Sequence, residues 1–146
     1  MTFKSGSPRD TELIAEKIAE KAKGGTVIAL YGGLGMGKTA FTRGFVRARG
    51  IGSEVSSPTF ALVHDYGGSP CIYHFDMYRV DGWDDLYSTG FFDCLDTGGI
   101  LVVEWSENIE NALPENTLRV CFERGREENE RIITVTGVGI YENFSC

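Results

Sequence analysis

The segment Gly32-Gly33-Leu34-Gly35-Met36-Gly37-Lys38-Thr39 constrains this chain more than any other part of it. It matches G-x-x-x-x-G-K-[ST] in full, with a β-branched apolar run (residues 26–31) before it and an amphipathic stretch (38–49) after it. The chemistry accounts for each residue type. Glycines let the backbone wrap close to phosphate and turn its N–H groups inward. The start of the following helix adds a partial positive charge. Lys38 reaches the β- and γ-phosphates, and the Thr39 hydroxyl is suited to Mg²⁺. On this reading Gly33, Gly35, Met36, Gly37, Lys38, Thr39 and Ala40 contact the phosphates. Lys38 is expected to be exposed, so its removal should leave the fold intact.

The rest of the chain supplies what a phosphate cradle needs around it. Residues 10–23 carry Leu13, Ile14, Ile18, Ala19 and Ala22 at helical spacing, with Asp10 as the expected N-cap and Gly24-Gly25 as the stop. Residues 60–66 and 72–77 flank Gly67-Gly68-Ser69-Pro70 and predict a hairpin. Residues 84–95 predict a helix in one or two pieces broken near Gly90. Residues 100–104 predict a buried strand. Leu118, Val120 and Phe122 alternate as in a half-buried strand, and residues 132–136 form the last one. Helices on a mixed β-sheet make an α/β, P-loop NTPase-like fold. At 146 residues the chain has room for one such domain, 1–146, with its core at about 10–136, a short polar N-terminal tail and a short C-terminal tail.

Charge narrows the function. With 14 Lys and Arg against 21 Asp and Glu, the net charge of −7 opposes autonomous binding of nucleic acid. The charge is also uneven: residues 1–73 sum to +3 and residues 74–146 to −10, which points to two differently used faces. Cys71, Cys94, Cys121 and Cys146 form no C-x-x-C pair, which argues against a structural zinc site. The polar start lacks a signal-peptide core, and no apolar run can span a bilayer, so the expected compartment is the cytoplasm.

A Mg²⁺-nucleotide site needs a further oxygen ligand and a group that organises water. Two apolar strands end in carboxylates, Ile100-Leu101-Val102-Val103-Glu104 and Ile72-Tyr73-His74-Phe75-Asp76. Glu104 is assigned to the metal, directly or through water. Asp76 is assigned to the attacking water, although the two roles are interchangeable on sequence grounds. Ser57 and Thr59, in Ser56-Ser57-Pro58-Thr59, either sense the γ-phosphate or belong to a polar connector. Trp105 packs on the nucleotide pocket, faces a partner or fills the core.

Taken together, G-G-L-G-M-G-K-T, then S-P-T-F (57–60), Y-H-F-D-M-Y-R (73–79) and V-E-W-S-E (103–107) resemble the TsaE (YjeE) family of small bacterial P-loop ATPases. The resemblance covers about residues 10–136. It implies a part in making threonylcarbamoyladenosine in tRNA, alongside TsaB-like and TsaD-like partners. TsaD transfers the threonylcarbamoyl group, and the TsaE-like subunit hydrolyses ATP to reset the complex. tRNA is then met only indirectly, and no membrane is involved. The resemblance carries the switch-like pair to Ser57 and Thr59, the essential Asp to Asp76, and the metal Glu with its adjacent Trp to Glu104 and Trp105. It also puts Thr11 and Arg126 on the adenine side, and ATP and Mg²⁺ in the site.

Three other functions compete. A small-molecule kinase needs an acceptor pocket and an arginine-bearing lid, and Arg124, Arg126 and Arg131 are the only cluster offered. A GTPase would carry N-K-x-D, which is absent, and a glycine three residues after the strand-end Asp, where this chain has Arg79. A nucleotide-dependent regulatory adaptor would not need intact Lys38, Thr39, Asp76 and Glu104. No arginine finger is visible within the site, so hydrolysis is expected to be slow alone and faster with a partner.

Overall fold

Alternation within the apolar runs builds a sheet with two buried faces. Ile100 and Val102 pack into one core, and Leu101 and Val103 into the other. A strand rich in aliphatics on both faces belongs at the centre of a parallel sheet. A computed structural model of the chain describes residues 1–33, 35–52, 55 and 63–137. In chain order the elements are β1 (Thr2–Ser5), α1 (Pro8–Lys21), β2 (Val27–Tyr31), α2 (Lys38–Ala48), β3 (Val63–Gly67) and β4 (Ile72–Asp76). Next come α3 (Trp83–Ser88), α4 (Phe91–Asp96), β5 (Ile100–Glu104), a 3-10 segment (Ser106–Ala112), β6 (Leu118–Arg124) and β7 (Arg131–Thr136).

The strands form one sheet in the order β1-β7-β6-β2-β5-β4-β3. The central β6, β2, β5 and β4 run parallel, while β3 and the β1–β7 pair add antiparallel edges. Ile14, Ile18, Phe41 and Phe45 of α1 and α2 pack on one face. Leu86, Phe91 and Ile109 pack on the other. The charge asymmetry follows this division. α1 and α2 together carry six bases and four acids, all three charges of α2 being basic, whereas α3, α4 and the 3-10 segment carry acids and no base. No helix among the described residues is long and apolar enough to cross a membrane.

Two features of the N-terminal region differ from the sequence expectation. Residues 2–5, expected as a polar tail, form β1 and pair with β7 in register Thr2↔Thr134 to Ser5↔Arg131. Only Phe3 and Ser5 point inward there, too short a pattern to read as a strand. The N-cap of α1 is Ser7 rather than Asp10. Ser7 Oγ accepts from the Asp10 N–H at 3.2 Å, and Pro8 occupies the first turn, where its missing N–H costs nothing. Asp10 turns back instead to accept from the Gly6 N–H at 2.9 Å.

α1 and α2 are also tied by charge. Glu12, 7% exposed, accepts from Arg43 and Arg47 of α2, each at 3.3 Å. Burial pushes its carboxyl up, but the two guanidinium groups outweigh that and hold it below the usual carboxylate value. A depressed folded-state value means the contribution is complete above the ordinary value of 4.5 and is lost as pH falls through the folded value. Because both arginines are about half exposed and can turn to water, Glu12→Gln should cost about 1–2 kcal/mol at neutral pH, less than a fully buried pair. Urea unfolding of both proteins should show that gap closing as the pH drops below 4.5. A gap that holds constant with pH would contradict the assignment.

Candidate nucleotide site

The phosphate loop lies at the C-terminal edge of the sheet, where ligands bind in open α/β proteins. It leaves β2 and enters α2. Gly32, Gly35 and Gly37 have φ of 148°, 74° and 109°, a region that side chains with a Cβ rarely adopt. Gly37 is the N-cap of α2 and supplies no side-chain cap. The first N–H groups of this eleven-residue helix therefore have no capping side chain, an arrangement that receives an anion.

Lys38 is the main correction to the sequence reading. It is 6% exposed, not an open surface lysine. Its Nζ donates to the Gly32 carbonyl at 2.7 Å, bending back over its own loop. The same ammonium lies 4.0 Å from Glu104 Oε1 and 4.9 Å from the centre of the Trp105 ring. A buried ammonium needs such partners, because leaving it unpaired is costly. The Thr39 side chain is half-buried and makes no hydrogen bond to another described residue.

The two strand-end carboxylates meet here. β4 and β5 are parallel neighbours, and Asp76 and Glu104 are register partners. Glu104 is buried, at 4% exposed, and His74 Nε2 lies 2.6 Å from its Oε2. Asp76 is half-exposed and its Oδ1 accepts from the Tyr78 N–H at 2.9 Å. The loop after Asp76 is held by the Asn108 side-chain amide, which donates to the Met77 carbonyl at 2.8 Å. Trp105 is half-buried, packs 4.9 Å from the Tyr78 ring, and has φ of 58° and ψ of 42°. It is the only residue other than glycine with positive φ among the described residues, and strained backbone of this kind is concentrated at functional sites.

A cleft beside the loop is bordered by Thr11, Gly35, Met36, Gly37, Ala40, Asn129 and Arg131. Thr11 thus lies next to the phosphate loop, with its hydroxyl 2.8 Å from Ser5 Oγ. Arg126 is exposed and does not border this cleft. Arg131 does, and donates to the Gly35 carbonyl at 3.2 Å. Sequence reasoning assigned no role to His74, Asn129 or to Arg131 at this position. The one available signal was His74 itself, a polar residue on the inward-facing side of an apolar strand. Ser57 and Thr59 lie outside the described residues.

The donor set suits magnesium bound together with a phosphate. Mg²⁺ takes hard oxygen ligands, commonly one or two side chains plus phosphate oxygens and water. Thr39 and Glu104 are of that type, and among the described residues no group of three or more His, Cys, Asp and Glu side chains forms a metal site.

A strand–glycine loop–helix unit at the C-terminal end of the central strand of a mixed seven-stranded sheet defines a P-loop NTPase-like α/β protein. The model of the family described as threonylcarbamoyl adenosine biosynthesis protein TsaE matches residues 5–133. The chain is 38% identical over 147 aligned positions to the tRNA threonylcarbamoyladenosine biosynthesis protein TsaE of Bacillus subtilis, spanning 100% of this chain and 91% of that one. It is 35% identical to the protein of the same name from Treponema pallidum, over 90% of this chain and 96% of that one. A crystal structure of YdiB from Bacillus subtilis superposes with a TM-score of 0.76 at 37% identity, covering 95% of this chain and 86% of that one. The chain belongs to the TsaE family.

Proposed function

We propose that this protein is a Mg²⁺-dependent ATPase that supports tRNA threonylcarbamoyladenosine formation by acting on a TsaB–TsaD-like complex in the cytoplasm. The observation that carries this reading is the pairing of Lys38, at the start of an uncapped α2, with Glu104, whose register partner on the next strand is Asp76. The names of the relatives support the pathway, and the site chemistry supports an ATPase.

In this reading the N–H groups at the start of α2 hold the β-phosphate. Lys38 leaves the Gly32 carbonyl to neutralise charge on the β- and γ-phosphates. Thr39 and Glu104 would hold Mg²⁺, which would supply charge stabilisation to the phosphate oxygens. Asp76, half-exposed at the end of β4, orients the attacking water. Hydrolysis is slow alone, and a partner supplies the further charge that completes the transition state or orders the site for it. The protein itself transfers no threonylcarbamoyl group, and it meets tRNA only through its partners.

Asp76→Ala should bind ATP within a few-fold of wild type and hydrolyse it about a hundredfold more slowly, the scale of losing one positioned acid–base group. Single-turnover hydrolysis by the wild type should rise when a TsaB–TsaD-like complex is added. Equal rates with and without the complex would remove the accessory role. Unchanged turnover in Asp76→Ala would move the water-orienting role elsewhere.

A further inference from the structure

His74 lies in the middle of β4 and is fully buried, at 0% exposed. A buried imidazole is costly unless both ring nitrogens are satisfied. Here both are. Nε2 lies 2.6 Å from Glu104 Oε2, and Nδ1 lies 3.2 Å from the Tyr66 hydroxyl. That hydroxyl is in turn 3.3 Å from His64 Nδ1. His64 and Tyr66 belong to β3, the edge strand of the hairpin, so three polar side chains run from the sheet edge to the centre of the site.

The directions of these bonds follow from chemistry. A carboxylate only accepts, so Nε2 of His74 carries the hydrogen. In the neutral ring Nδ1 then accepts from the Tyr66 O–H, and the Tyr66 oxygen accepts from Nδ1–H of His64. With the neutral Nε2–H ring every link points the same way, toward Glu104. The contact to Glu104 also follows from the pleat. Asp76 and Glu104 are register partners, and His74 is two residues before Asp76 on the same face of the adjacent strand. One oxygen of Glu104 is thus fixed by His74, and the other faces the Lys38 ammonium at 4.0 Å.

We propose that His74 is a positioning residue: it holds Glu104 Oε2 so that Oε1 faces Lys38 and is left to take the metal, and Tyr66 and His64 fix its tautomer. This rests on the nucleotide reading above and deepens it. An outer hydrogen bond of this kind orients a ligand and commonly changes metal affinity by tenfold to a hundredfold when lost. A merely space-filling histidine would tolerate any ring of similar shape.

The test has two arms. The first needs no ligand: ¹⁵N NMR of the imidazole in the folded protein should report the Nε2–H tautomer for His74, with its signal displaced in Glu104→Gln. The Nδ1–H tautomer, or a signal indifferent to Glu104→Gln, overturns the proposal. The second arm measures ATP affinity by titration calorimetry with and without Mg²⁺. The increase given by Mg²⁺ should fall by about tenfold or more in His74→Phe and return to within about threefold of wild type in His74→Gln, whose amide can still donate. If His74→Phe keeps the increase, or His74→Gln is as impaired as His74→Phe, the proposal fails. Should His74→Phe not fold, Tyr66→Phe decides, with a loss of about threefold expected and no loss overturning it. A wild type without any Mg²⁺ effect would refute the nucleotide reading instead, while the NMR arm would still decide the role of His74.

Discussion

Lys38→Ala is expected to lower ATP affinity by at least about a hundredfold, equal to about 2.7 kcal/mol. Charge-assisted hydrogen bonds to phosphate are worth about 1.5–3 kcal/mol each. In the free protein Lys38 spends its hydrogen bond on the Gly32 carbonyl, so the loop already holds the ammonium within reach of a phosphate. The structural setting adds a second effect that an open surface lysine would not have. The ammonium is 6% exposed and lies beside the buried Glu104. Removing one partner of a buried pair leaves an uncompensated charge. The separation of 4.0 Å is long for an ion pair, and His74 continues to satisfy Glu104. The stability loss should therefore be about 1–2 kcal/mol rather than the full penalty of a close pair. Lys38→Met, which keeps an unbranched apolar stem but not the charge, should lose the same affinity. Calorimetric titration with ATP and urea unfolding on the two variants separate these effects. Retained affinity in Lys38→Ala would remove the lysine from phosphate binding, and unchanged stability would mean that its burial contributes nothing.

The burial of Lys38 marks where the sequence stops being informative. Its pattern specifies a loop and a helix, but the depth of the side chain depends on Glu104, 66 positions later. By contrast, β5 was readable at its observed bounds, because four aliphatics followed by one acid give a buried strand reaching its polar end. Asp76 and Glu104 were each visible as strand ends, but their register is a property of parallel pairing between segments with no local link. α3 and α4 separate at Gly90, which has φ of 83°, so the expected break is one of conformation rather than of hydrophobicity. β1 was missed for the opposite reason. Four residues cannot show a period, and the strand owes its place to β7. His74 was legible as an anomaly without its meaning, since the partner that explains it is supplied by the sheet.

Gly44→Ala should destabilise the protein by about 3 kcal/mol or more, lowering the melting temperature by about 6–12 °C in a chain of this size. Helix propensity alone argues the other way. Alanine in place of glycine inside an exposed helix stabilises by about 1 kcal/mol. The contact with α1 reverses that sign. A Cβ at Gly44 would lie 2.4 Å from the Glu12 carbonyl oxygen, 2.6 Å from its Cα and 2.8 Å from its carbonyl carbon. These are backbone atoms, so no side chain can rotate away and one helix must move. Ile14, Ile18, Phe41 and Phe45, buried around this crossing, lose packing when it does. The same shift pulls Glu12 from Arg43 and Arg47, and moves Thr11 relative to the phosphate loop. The variant should therefore also bind ATP more weakly, by several-fold, although Gly44 is no part of the cleft. Gly33 provides the control within the loop. Nothing lies within 4 Å of a Cβ there, so Gly33→Ala should keep stability near wild type. Thermal unfolding of the two variants tests the contact directly. A Gly44→Ala protein that melts at or above the wild-type temperature would show that α1 and α2 do not approach this closely.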